Sequence, residues 1–136
     1  MGEQCVPLNR THFTASGDVS RYRFIGFDGA HCGAGAKANC VSVFDASDTT
    51  PGTGTDFGSA VVEAGGVVAV GDPIASDANG KAVKAADLSV TLTAGDDTVD
   101  ADGAHTFAGG VLPVTINGYA REAASGAGVF IEVKLV

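Results

Sequence analysis

Histidine, cysteine and carboxylate are the side chains of this chain that could do chemistry, and their spacing decides how far each possibility goes. His12, His31 and His105 stand far apart. None belongs to an HxxxH or HExxH pair that would aim two imidazoles at one zinc ion. His31, Cys32 and Cys40 come nearest to a zinc set, yet they lack a second close-spaced cysteine and an evident fourth ligand. A cysteine–histidine nucleophile pair would meet only in the fold, and nothing around Cys32 or Cys40 matches a nucleophile motif. The acidic run Asp96-Asp97-Thr98-Val99-Asp100-Ala101-Asp102-Gly103 invites a calcium test. An EF-hand loop takes ligands at positions 1, 3 and 5, glycine at 6 and glutamate at 12. Placing Gly103 at position 6 puts Thr98 at position 1 and Gly109 at position 12, so the match fails at both ends. A solvated acidic loop is the reading, with a looser oxygen-ligand site shared between subunits as its alternative. There is no P-loop and no GxSxG elbow, and Gly33 and Gly35 lack the third glycine of a dinucleotide fingerprint. The expectation is a chain with no catalytic residues, no cofactor and no metal.

The elements that would position these residues read as β throughout. Residues up to Arg10 carry no clear period and contain Pro7, which suggests an extended N-terminal arm over 1–13 followed by one β-rich domain over 14–136. From Val19, the positions Val19, Arg21, Arg23, Ile25 and Phe27 alternate with Ser20, Tyr22, Phe24 and Gly26, predicting a strand that ends at the Asp28-Gly29 turn. Cys40 to Phe44 predicts the next strand, and the polar stretch Asp45 to Asp56 a surface loop. Ala60–Glu63 and Val67–Val70 read as two short strands joined at Ala64-Gly65-Gly66. Ile74-Ala75-Ser76, a tight turn at Asp77–Gly80 and a strand over Lys81–Lys84 follow. Ser89 to Thr93 alternates cleanly, an acidic loop falls near 94–110, and Val111 to Ile116 reads as an edge or bulged strand at Pro113. Val129 to Val136 is the last strand; helix is limited to a turn or two near Ala85–Asp87 or Arg121–Ala124. Short strands with turn signals at this density predict an all-β fold, a small compact barrel or sandwich.

Composition narrows the partners. The 136 residues suit one domain that buries roughly two thirds of its unfolded surface. The chain is 45% hydrophobic, chiefly Ala and Val, and its 18% charged residues fall below the usual quarter or so, which argues against disorder. A net charge of −8 with scattered basic residues excludes nucleic acid as a partner by ordinary phosphate neutralisation. No apolar run approaches the ~18 residues of a membrane span, and Met1-Gly2-Glu3-Gln4 has no basic-then-apolar secretion pattern. Val6 stands where a myristoylation motif wants Ser or Thr. Cys5, Cys32 and Cys40 are therefore expected to be reduced thiols, a Cys32–Cys40 bridge being the alternative.

Two segments carry a resemblance. Val61-Val62-Glu63-Ala64-Gly65-Gly66, Val70-Gly71-Asp72-Pro73-Ile74 and Ser76-Asp77-Ala78-Asn79-Gly80-Lys81-Ala82-Val83 resemble the core of small bacteriophage capsid cement or decoration proteins. The ending Gly118-Tyr119-Ala120-Arg121-Glu122-Ala123-Ala124-Ser125, leading through Gly128 into Val129–Val136, is similar to that family's C-terminal block. Phe27-Asp28-Gly29 through Val43-Phe44-Asp45-Ala46 fits its N-terminal part more loosely. Val-x-x-Gly-Asp-Pro-Ile also resembles the hairpins of lipoyl and biotinyl carriers, but the Asp-Lys-Ala or Met-Lys-Met of their modified lysine is missing.

The resemblance implies a structural virion protein, made in a bacterial cytoplasm, that binds the outer capsid surface and stabilises the head against internal DNA pressure. It further implies the major capsid protein and other copies of itself as partners, as a homotrimer at threefold and local threefold positions. The arm is the first candidate for that interface, through Glu3, Val6, Pro7, Leu8, Arg10 and Phe13, since an extended segment can add a strand to a neighbour. Arg21, Tyr22 and Arg23 are the second, because Arg and Tyr are enriched in interface cores. A tail, baseplate or bacterial surface β-domain is the competing structural role, and a hydrolase using Cys40 or a loop carboxylate the competing enzyme.

Overall fold

The computed structural model describes residues 6–86, 97–99, 105–107 and 115–136. In chain order the strands are β1 (Pro7–Thr14), β2 (Phe24–Ile25), β3 (Cys40–Ser42), β4 (Pro51–Glu63), β5 (Pro73–Ser76) and β6 (Ala82–Lys84), then β7 (Asp97–Val99), β8 (His105–Phe107), β9 (Gly118–Ala120) and β10 (Phe130–Leu135). The fold is all-β: the described residues contain no helix, and the main sheet is nearly closed into a barrel. Its order is β2-β3-β4-β10-β9-β5-β6, with β1 added on β4; β7 and β8 form a separate antiparallel pair. The two ends of the order meet where the Phe24 amide donates to the Gly80 carbonyl at 2.7 Å. A parallel bridge between Ala64 and Ala82 joins the end of β4 to β6.

The 13-residue β4 organises the fold. Its first half pairs with β1 and β3, and its second half with β10. The change of partner falls at Gly58, whose φ is +99°. A Cβ there would lie 2.4 Å from the Val6 carbonyl oxygen and 2.7 Å from the Leu8 nitrogen, so only glycine lets β1 approach at this point. Apolar side chains from both halves fill the interior. Phe24, Val41, Val62, Val68, Ile74, Ile131 and Val133 are fully buried in the main cluster, and Ala15, Val19, Ile25, Cys40 and Ala46 form a second with Phe13 packed against them. Each large aliphatic or aromatic side chain so buried contributes about 1.5–3 kcal/mol.

Several local expectations are corrected. The strand expected over Val19–Phe27 is ladder only at Phe24–Ile25, because Tyr22 takes a left-handed φ of 62° and bends the chain. The Ser42 side chain stitches that bend, its hydroxyl donating to the Ser20 carbonyl at 2.7 Å and accepting from the Arg23 amide at 3.2 Å. The loop expected to run to Asp56 becomes strand at Pro51. Glycines hide that strand in the sequence. At Gly52 the Phe13 ring, and at Gly54 the Cys40 side chain, occupies the space a Cβ would need. Val67–Val70 is no strand; Val68 alone bridges Ala124, with Val67 and Val70 exposed. Arg121–Ala124 contains no helical turn. Within the predicted acidic loop, Asp97–Val99 and His105–Phe107 are paired strands. The strand expected over Ser89–Thr93 lies outside the described residues, as does most of that expected over Val111–Ile116, of which Thr115 and Ile116 are not strand; Ala85 and Ala86 of the expected helical turn are not helical, and Asp87 lies outside the described residues.

Candidate functional site

Where β4 exchanges β1 for β10, the sheet splits and leaves an open cleft of about 350 Å³. Val6 and Leu8 line it from the start of β1, Phe57 and Gly58 from β4, and Lys134 and Leu135 from the end of β10; Ser59 and Arg121 complete the walls. Its apolar lip is wet: Val6 is 52%, Leu8 66% and Phe57 60% exposed. The lip is also held in place. The Ser59 amide donates to the Val6 carbonyl at 3.0 Å, while the Ser59 hydroxyl accepts from the Val6 amide at 2.9 Å. Arg121 donates to the buried carboxylate of Glu132 at 3.1 Å and keeps half of its side chain in solvent. Among the described residues, Lys134 makes no ion pair.

The residues singled out in the sequence divide sharply. Glu3 lies outside the described residues. Val6 and Leu8 belong to the cleft, and Pro7 pairs with Gly58 beside them. Arg10 is exposed on β1, opposite Thr55. Phe13 points inward onto the second core cluster. The extended segment is thus strand-paired from Pro7 to Thr14, with this chain's own β4 as partner. Arg21 lies over the Tyr22 ring at 5.2 Å, and Tyr22 meets Phe130 edge to face at 5.4 Å. Arg23 is engaged: its guanidinium sits 2.8 Å from Glu63 and donates to the Asn79 carbonyl at 3.1 Å. Phe57, Ser59, Arg121, Lys134 and Leu135 escaped the sequence reading. A phenylalanine beside Gly58, directly after the stretch read as loop, was the available signal.

The titratable groups fit structural roles. Burial alone would raise Glu63, but hydrogen bonds from Arg23 and Lys81 overcome it and hold its carboxyl below the ordinary range. Burial lowers His31, aided by the charge of Arg23 and opposed by Asp77; its Nε2 accepts the Ser20 amide at 3.0 Å, which requires the neutral ring. Burial pushes the Cys40 thiol up to about 12, with Asp56 adding to the rise. Burial also raises Cys32, whose thiol lies 3.4 Å from the Ala36 carbonyl. With its pKa at about 12, the Cys40 thiol is not a nucleophile at neutral pH. Both buried cysteines are free, and no cluster of metal-ligating side chains occurs among the described residues.

Fold and site together define a small antiparallel β-barrel whose distinctive surface is an apolar cleft flanked by basic side chains. No family model matches the chain, and no curated protein matches it. Its fold is that of the N base of head fiber gp8.5 from bacteriophage phi29, known from a crystal structure. The two align over 94% of this chain and 95% of that one, with a TM-score of 0.63 and 22% identity.

Proposed function

We propose that this chain is a structural protein of a bacteriophage head, bound to the outer surface of the capsid and stabilising the shell against internal DNA pressure. The observation that carries the reading is the likeness of fold, along almost the full length of both chains, to the base of a phage head fiber. Three further features support it. The phage-like blocks at Val61–Val83 and Gly118–Val136 run through the end of β4, β5 and β6 and through β9 and β10 of the barrel. The ionisable groups at His31, Cys32, Cys40 and Glu63 are committed to the fold rather than poised for catalysis. A rigid barrel with a wet apolar cleft suits binding, while the net charge of −8 keeps the outer face soluble.

In this reading the partners are the major capsid protein and other copies of the chain, assembled as trimers at threefold and local threefold positions. Residues 1–13 act as an arm on the domain formed by 14–136, and the contact surface includes Val6, Leu8 and Arg10. Repetition over the shell adds avidity to interfaces that need bury only about 1,000 Å² each. Quantitative mass spectrometry of purified virions tests the proposal. A copy number comparable to that of the major capsid protein, retained on DNA-free heads, is the expected result. Absence, or a handful of copies, would overturn it and point to a tail or baseplate role.

A further inference from the structure

We infer that the cleft between β1, β4 and β10 receives an extended segment of the capsid shell protein that presents a large apolar side chain beside a carboxylate. The inference rests on the capsid reading for the source of that segment, and on charge complementarity for its chemistry. The apolar part follows from the lip: Leu8 and Phe57 are well over half exposed where two strands diverge, so a side chain lodged between them removes apolar surface from water on both sides. A volume of about 350 Å³ lies at the small end of cavities that hold a ligand, which fits one or two side chains rather than a folded element.

The carboxylate follows from the rim. Acidic residues outnumber basic ones by 16 to 8 in the chain, yet among the described residues the two charged side chains that line this cleft, Lys134 and Arg121, are both cations. Lys134 has no ion-pair partner among the described residues. Arg121 is anchored to Glu132, so its guanidinium is fixed in position while half of its side chain still faces solvent.

The test titrates the isotope-labelled protein with the blocked peptide acetyl-Asp-Phe-Asp-Leu-amide and with its lysine counterpart acetyl-Lys-Phe-Lys-Leu-amide, followed by amide NMR. Expected are shifts at Leu8, Phe57, Ser59 and Leu135 with the acidic peptide only. Lys134→Glu should weaken binding by about five- to tenfold at low salt, as reversal of one exposed charge allows. Lys134→Gln should fall between, and Phe57→Asp should abolish the shifts while leaving the remaining spectrum folded. Equal shifts from both peptides, or none, overturn the inference. So do cleft resonances that move with protein concentration, which would place a second copy there. Co-sedimentation with heads lacking the protein separates the two proposals. Wild type and Lys134→Glu binding equally well would sink the cleft as the contact while leaving the capsid reading intact. Wild type failing to bind would sink the capsid reading and, with it, the shell protein as the source of the segment.

Discussion

Substituting Gly58 by alanine isolates the point at which β4 changes partners. Two costs apply. The first is conformational: an L-residue at φ +99° gives up about 1–2 kcal/mol relative to glycine. The second is steric, because the new Cβ would lie 2.4 Å from the Val6 carbonyl oxygen and 2.7 Å from the Leu8 nitrogen. Both are main-chain atoms, so no rotamer relieves the contact. The start of β1 must back away by roughly an ångström to restore a normal contact distance. That movement strains the two hydrogen bonds between Val6 and Ser59, at about 1 kcal/mol each. The total is about 3–4 kcal/mol. Gly71→Ala is the control, since Gly71 has a similar φ of +87° but open space around its Cβ position, and it should cost only the conformational part. Urea unfolding of both variants measures the difference, expected near 2 kcal/mol. Hydrogen exchange should localise it, with amides of Leu8 to Phe13 losing protection while Ile74–Ser76 keep theirs. If Gly58→Ala cost no more than Gly71→Ala, the account of β1 pressed against β4 by close contact would be refuted.

Three other outcomes are expected. Cys32 and Cys40 should resist iodoacetamide in the native protein at pH 8 and react fully once unfolded, as counted by mass; rapid native labelling of Cys40 would contradict its burial and its pKa of about 12. Because the Glu63 carboxyl is depressed in the folded state, its stabilising contribution is present above the unfolded value near 4.5 and is lost as pH falls through the folded pKa. Glu63→Gln should therefore flatten the acid limb of a stability–pH profile, and an unchanged limb would remove Glu63 as its source. His31 is also depressed, and the unfolded ring binds a proton first, so its contribution is present above pH 6.5 and declines as pH falls below that value. His31→Ala should lower stability at pH 7.5 and erase that segment of the profile; an intact segment would assign it elsewhere.

How much of this was legible in the sequence depended on whether the signal was local. β10 and the β5–β6 hairpin were readable because apolar alternation and a turn at Asp77–Gly80 specify them without distant partners. β4 was half missed. Its inward positions at Gly52 and Gly54 are blank in the sequence, since Phe13 and Cys40 supply the bulk from other strands. Conversely, the alternation at Val19–Phe27 overstated a strand that Tyr22 breaks with a positive φ. The cleft was legible only on its β1 side, through Val6 and Leu8. Its other wall comes from residues some 50 and 125 positions further along, joined only by the register of β4 against β1 and β10.

That dependence on register links stability to binding at one place. Gly58 lets β1 lie close to β4, and β1 in turn carries Val6 and Leu8 to the cleft. Loosening β1 therefore removes two of the three apolar lip side chains without touching Lys134 or Arg121, which sit on the β9–β10 side. Gly58→Ala and Lys134→Glu consequently separate the two components of recognition. The first should weaken an apolar, salt-insensitive part of binding; the second should weaken a part that fades once ionic strength brings the Debye length below about 10 Å. If both variants lost binding with the same salt dependence, the cleft would be acting through charge alone, and the apolar lip would have to be reassigned to folding.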